Sequence, residues 1–363
     1  MTPPCFLVSR YCSANSPLPQ HDSERARSGI WRSHMASVVF GLASTRSPLV
    51  SMSPLLWPAL GERDRVSPDL HSRDGNPVTY EELLQAAPAH IQQELLPAVL
   101  QSKYDRAQIA LATLAQQLAQ ADLDAMVVIG NDRDGVNILA SNRPAILVYR
   151  GQTVRIAPRE VNPDADEVTK APLWAWGREA AVHPVAVDLA LHLEEHLITL
   201  GFDVADSVSM QAMAHPFGFV YTRLMPAKVV PIVPIVLNAQ LPPNIPTPQR
   251  CFALGQAIRT AVEAWGVSAR VGIVTNGGLS IGVLEEALDR QVLSAMATGD
   301  AAALAALPRG WLRGSSGEVV NWVTAAGALE HLPMHQLDYI PAYRSPAGTG
   351  SGLAFAYWRD STT

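Results

Sequence analysis

The stretch from Val229 to Val292 constrains the fold more than any other part of the chain. It passes from an apolar, β-branched segment (Val229 to Leu237) through the loop NAQLPPNIPTP into a segment of helical period. A second apolar run (Val271 to Thr275), the turn Asn276-Gly277-Gly278 and another helical segment follow. Continuous apolar runs bounded by turn residues and alternating with helical periods read as strands of an α/β sheet buried on both faces. Such sheets gather ligands beyond the carboxyl ends of their strands, where loops carry chemistry without disturbing the core. The turn after the second strand is therefore the place to look for a site, and it sets Ile281 at the mouth.

The other periodicities agree. Ser37 to Leu42 and Ala125 to Ile129 read as strands, each running into small, polar or turn-forming residues, Ala43 to Pro48 and Gly130 to Gly135. AILVY, ending at Tyr149, reads as another strand. Between Thr79 and Gln120 apolar residues recur at three- and four-residue spacing, and Thr79 followed by Glu82 predicts a capping box. The expected fold is a single α/β domain over residues 35–358, a central mixed sheet flanked by helices with the site at strand ends. Residues 1–34, rich in Ser, Pro and Arg and without periodicity, are expected to be a disordered extension or to precede the working start at Met35. Residues 359–363 read as a tail.

Composition narrows the function classes. A net charge of −6 over 363 residues, with no basic stripe, leaves no footprint for nucleic acid. No apolar run approaches the roughly 18 to 20 residues of a membrane span. Cys5, Cys12 and Cys251 make neither a metal-ligand spacing nor an even disulfide set, which points to a reduced, cytoplasmic setting. His192 and His196 share a helical face, but Leu193-Glu194-Glu195 between them is not an HExxH arrangement, so a solvated face is expected. His90 is expected at the surface and His183 in a loop.

Three motifs carry a family resemblance. NGGLSIG from Asn276, followed by LEEALDRQVL, resembles the class III extradiol ring-cleavage dioxygenases, the superfamily of the protocatechuate 4,5-dioxygenase β subunit and methylgallate dioxygenase. HPFGFVYTRL from His215 resembles that family's HPFxFVYRRL, and GSSGEVVNWVTAAGAL from Gly314 resembles GSSEIRNWIAAAGAL. The likeness covers roughly Met35 to Trp358. It implies ferrous iron held by two imidazoles and a carboxylate, a small catechol-type substrate of the protocatechuate or gallate kind, and assembly into homo- or hetero-oligomers. Carried over residue by residue, Glu318 matches the carboxylate ligand, and His215 the histidine that hydrogen-bonds substrate or oxygen. A carboxylate in a first helical turn also suits the helix dipole, so Glu318 has a capping alternative.

This chain departs from the family pattern at three places. Arg46, in ASTRSP, stands where the family resembles GTSHSP. Arg133, in GNDR, stands where it resembles GNDH or GDDQ, and Ile281 stands at the acid/base histidine of GGLSH. A guanidinium offers a metal no lone pair, and one carboxylate does not hold iron. Ring cleavage is therefore expected to be impaired or altered, with Fe(II) bound weakly or not at all. Two guanidiniums and a carboxylate carry the same local charge as a divalent ion with one carboxylate. If both arginines point inward, Arg46 and Arg133 clamp an aromatic carboxylate bidentately. In the rival reading each pairs with Glu318 or Asp132 and rebuilds a stable core. The alternatives to a dioxygenase are thus a metal-free ligand-binding relative and a non-catalytic subunit that pairs with an active homologue.

Overall fold

The structure is a computed structural model. It describes residues 35–132, 142–171, 173, 177, 179–209, 212–213, 215–225 and 228–360. Arg133 and the 1–34 segment lie outside the described residues.

In chain order the strands are β1 (Ser37–Ser44), β2 (Ala125–Asn131), β3 (Ile146–Tyr149), β4 (Thr153–Ile156), β5 (Ala181–Pro184), β6 (Ala205–Ser207), β7 (Ile232–Leu237), β8 (Arg270–Asn276), β9 (Ile281–Val283), β10 (Met334–Tyr343) and β11 (Thr349–Trp358). All but β4 and β5 form one mixed sheet in the order β10-β11-β1-β8-β2-β7-β3-β6, with β9 added against β11. β1, β8, β2 and β7 are mutually parallel, while β10, β11 and β9 pair antiparallel. The parallel strands end together: Ser44 lies beside Asn276, Ile129 beside Thr275, and Asn131 beside Leu237. β4 and β5 make a separate two-stranded ribbon, which places His183 in a strand rather than the expected loop. Its ring stacks on Tyr221 at 3.8 Å between centroids.

Helices cover both faces of the sheet, which is why its central strands are apolar throughout. The principal helices are α1 (Tyr80–Ala86), α2 (Pro97–Gln120), α3 (Val187–Thr199), α4 (His215–Phe219), α5 (Pro248–Glu263), α6 (Glu286–Thr298) and α7 (Val319–Leu329). On one face Val127 and Ile129 of β2 join Leu193 of α3, Ile258 of α5, Val292 of α6 and Trp322 of α7. On the other, Met126 and Val128 join Leu114 of α2 and Phe217 of α4. Alternate residues of one strand thus enter two different cores. The capping box at α1 is formed: Thr79 Oγ1 accepts the Glu82 N–H, and the Glu82 carboxylate accepts the Thr79 N–H. No described helix is long and apolar enough to cross a membrane.

Candidate functional site

The carboxyl ends of β1, β2 and β8 leave polar residues on one rim, and two further segments close over them. β1 runs to Ser44, two residues beyond the sequence expectation, and delivers Arg46 into the interior at 8% exposure. β2 ends on Asn131 and β8 on Asn276, 1% and 0% exposed. Glu318 is the residue before α7 and is 2% exposed. Its side chain makes no capping hydrogen bond with that helix, so the capping alternative does not describe it. Instead it turns toward the strand ends.

Four N–H donors converge on the Glu318 carboxylate. Oε1 accepts from Arg46 Nη2 at 2.5 Å, Asn131 Nδ2 at 3.2 Å and Gln240 Nε2 at 3.3 Å. Oε2 accepts from the Gly278 N–H at 2.9 Å. Gly277 makes that last bond possible. Its φ of 151° is unfavourable for other residues, and a Cβ there would stand 3.0 Å from Glu318 Oε2. Arg46 Nη2 also donates to Asn131 Oδ1 at 2.7 Å, and its Nη1 lies against Nε2 of the half-buried His215. A guanidinium only donates, so in this contact Nε2 of the imidazole is the acceptor.

A second set of bonds fixes the frame. Asn321 Nδ2 donates to Asn131 Oδ1 and to the Asn276 carbonyl, each at 3.3 Å, and the Trp322 indole donates to the Gly277 carbonyl at 3.3 Å. Asn276 Nδ2 donates to the Pro216 carbonyl at 2.9 Å, which anchors the start of α4 beside His215. α7, the β8 turn and α4 therefore position one another through amide and indole groups, while the charge sits on Arg46 and Glu318.

The structure brings Arg46, His215 and Glu318 to one buried centre. Ile281 opens β9 and is half-buried beside the turn, where a Cβ on Gly278 would stand 2.1 Å from its Cδ1, and its N–H donates to Ser316 Oγ at 3.0 Å. It lines a shallow cleft of about 20 Å³ with Arg73, Glu285, Trp311 and Arg313. His192 and His196 differ from the solvated face expected of them. Both are half-buried, and His192 Nε2 lies 2.8 Å from the Ala261 carbonyl of α5 because α3 packs against that helix. His90 is exposed. Asn131, Gln240, Asn276 and Asn321 were missed from sequence. The available signal was an Asn closing each apolar run, at Asn131 after AMVVIG and at Asn276 after VGIVT.

Residues 101–343 match the family described as the catalytic LigB subunit of aromatic ring-opening dioxygenase. A gallate dioxygenase of Pseudomonas putida is 30% identical over 177 residues, 42% of this chain and 49% of that protein, so the chain spans about half the length of this relative. The crystal structure of an uncharacterized protein from Escherichia coli K12 superposes with a TM-score of 0.42 at 11% identity, over 68% of this chain and 91% of that one. The family match takes in the greater part of the chain, including α4, the β8 turn and the start of α7, and the chain belongs to the aromatic ring-opening dioxygenase family of the catalytic LigB subunit.

Proposed function

We propose that this chain is a non-catalytic member of the ring-opening dioxygenase family and serves as partner subunit to a catalytic relative. The carrying observation is the Arg46 guanidinium seated on Glu318. Family enzymes use ferrous iron in a facial site of two imidazoles and one carboxylate, with positions left open for substrate and oxygen. The described donors do not fit that ion. The carboxylate already takes four N–H donors, and the lone pair of His215 faces Arg46. Among the described residues no group of three or more His, Cys, Asp or Glu is placed to hold a metal. An isoleucine at residue 281 leaves no base there for a phenolic proton.

The test is metal analysis and oxygen uptake on protein incubated anaerobically with ferrous iron and then desalted. Iron well below one per chain is expected, with no oxygen uptake on protocatechuate or gallate. Uptake that Glu318→Ala abolishes would restore the dioxygenase reading.

A metal-free binder of small aromatic carboxylates is the second reading, and it draws on the place of Arg46 at the strand ends. Arg46 already holds Glu318, Asn131 and His215, so an incoming carboxylate competes with Glu318 for it. Calorimetry separates the readings. Benzoates that bind more tightly than the matching phenols, and lose that preference in Arg46→Met, would favour the binder.

A further inference from the structure

Asp289 is a buried carboxyl that the Arg46–Glu318 centre does not use. It lies on α6 at 0% exposure, and three donors converge on it. The Ser280 N–H reaches Oδ1 at 2.8 Å, while Ser280 Oγ and the Tyr339 hydroxyl reach Oδ2 at 2.7 and 2.8 Å. Ser280 Oγ in turn accepts the Glu285 N–H at 3.1 Å. β11 forms the wall: a Cβ on Gly352 would stand 1.9 Å from Oδ2, so the carboxyl rests directly on that strand. Ser280 is two residues past Gly278, whose N–H holds Glu318, and three past Gly277, whose carbonyl holds the Trp322 indole. One carboxyl therefore ties α6, β10 and β11 to the turn that frames the centre.

The titratable groups around it come from two elements. α6 and the residue before it supply Glu285, Glu286 and Arg290, and β10 supplies Tyr339 and Tyr343. Arg290 lies over the Tyr339 ring at 4.9 Å, and the Tyr343 hydroxyl donates to Glu286 Oε1 at 2.8 Å. The turn and β11 contribute only the Ser280 hydroxyl and backbone. Among the described residues Asp289 makes no salt bridge, and burial outweighs its three hydrogen bonds, raising its pKa to about 7.

We propose that Asp289 is a positioning residue for the turn Asn276 to Ile281, a latch that grips Ser280 fully only when ionised. An ionised carboxylate accepts all three hydrogen bonds. A proton on Oδ2 takes the acceptor site of a Ser280 or Tyr339 hydroxyl, and a proton on the spare site of Oδ1 removes the charge that strengthens all three bonds. The inference goes beyond the proposed function, since the latch acts on the turn whether or not the centre turns over.

The Trp322 indole N–H is a built-in reporter, because its acceptor is a carbonyl of this turn. In the ¹⁵N-labelled full chain, with the resonance identified through Trp322→Phe, the indole signal should titrate with a midpoint near 7. Asp289→Asn should abolish the titration. Tyr339→Phe removes a donor to the ionised form and should move the midpoint up by about one pH unit or more. A resonance that does not titrate, or that titrates identically in Asp289→Asn, would overturn the proposal. If Asp289→Asn does not fold, Tyr339→Phe decides alone, and an unchanged midpoint refutes the latch. A merely structural role lowers stability in both variants without moving that midpoint.

Discussion

Arg46 and Glu318 illustrate what a buried ion pair does and does not contribute. Their side chains are 6% and 2% exposed, so each has given up its hydration for the other and for the amides around them. Against well-packed neutral residues such a pair is often worth little, but removing one half strands the other without water. Arg46→Met should therefore destabilise the protein by about 3–5 kcal/mol. Arg46→Met with Glu318→Gln should recover much of that loss, because the stranded charge is gone. Urea denaturation of the two variants and the parent, read at constant m-value, measures both steps. A single variant as stable as the parent would mean that the pair does not form in solution.

At the scale of elements, α6 is joined to β10 through Asp289 and Tyr339. Burial holds the Asp289 carboxyl at about 7 in the folded chain, against an ordinary value of 3.8. Between those values the folded state binds more protons than the unfolded one, so stability falls as pH rises. The contribution is fully present below about pH 4 and is lost as pH climbs to about 7, beyond which it stays level. Asp289→Asn removes the titration. The parent's melting temperature minus the variant's should therefore decline across that window and flatten above it. Parallel curves would show that the carboxyl titrates at its ordinary value.

At the scale of the whole molecule, one sheet carries the centre, and the two apolar cores on its faces share its central strands. We propose that the folded body runs from about Met35 to Trp358. A chain begun at Met35 should then melt cooperatively at the temperature of the full chain. A drop of several degrees would place the first 34 residues in the cooperative unit.

The sequence by itself determined the elements. Hydrophobic period and turn chemistry are local, so β2, β7 and β8, the Thr79 capping box and the three family motifs could all be read along the chain. Through the family motifs it also supplied the expectation that Arg46, Arg133 and Ile281 stand at the family's iron and acid/base positions. Only the tertiary structure decided which groups Arg46 and Glu318 meet. Arg46 meets Glu318 across 272 positions of sequence, one of the arrangements the motifs left open and only the fold could choose. The expected surface of α3 became half-buried because α5 lies against it. Asn131, Gln240, Asn276 and Asn321 were unremarkable polar residues until strands of matched register brought them around one carboxylate or its frame. A hydrogen bond depends on two groups meeting in space at the right angle. That meeting is settled by how the sheet orders its strands.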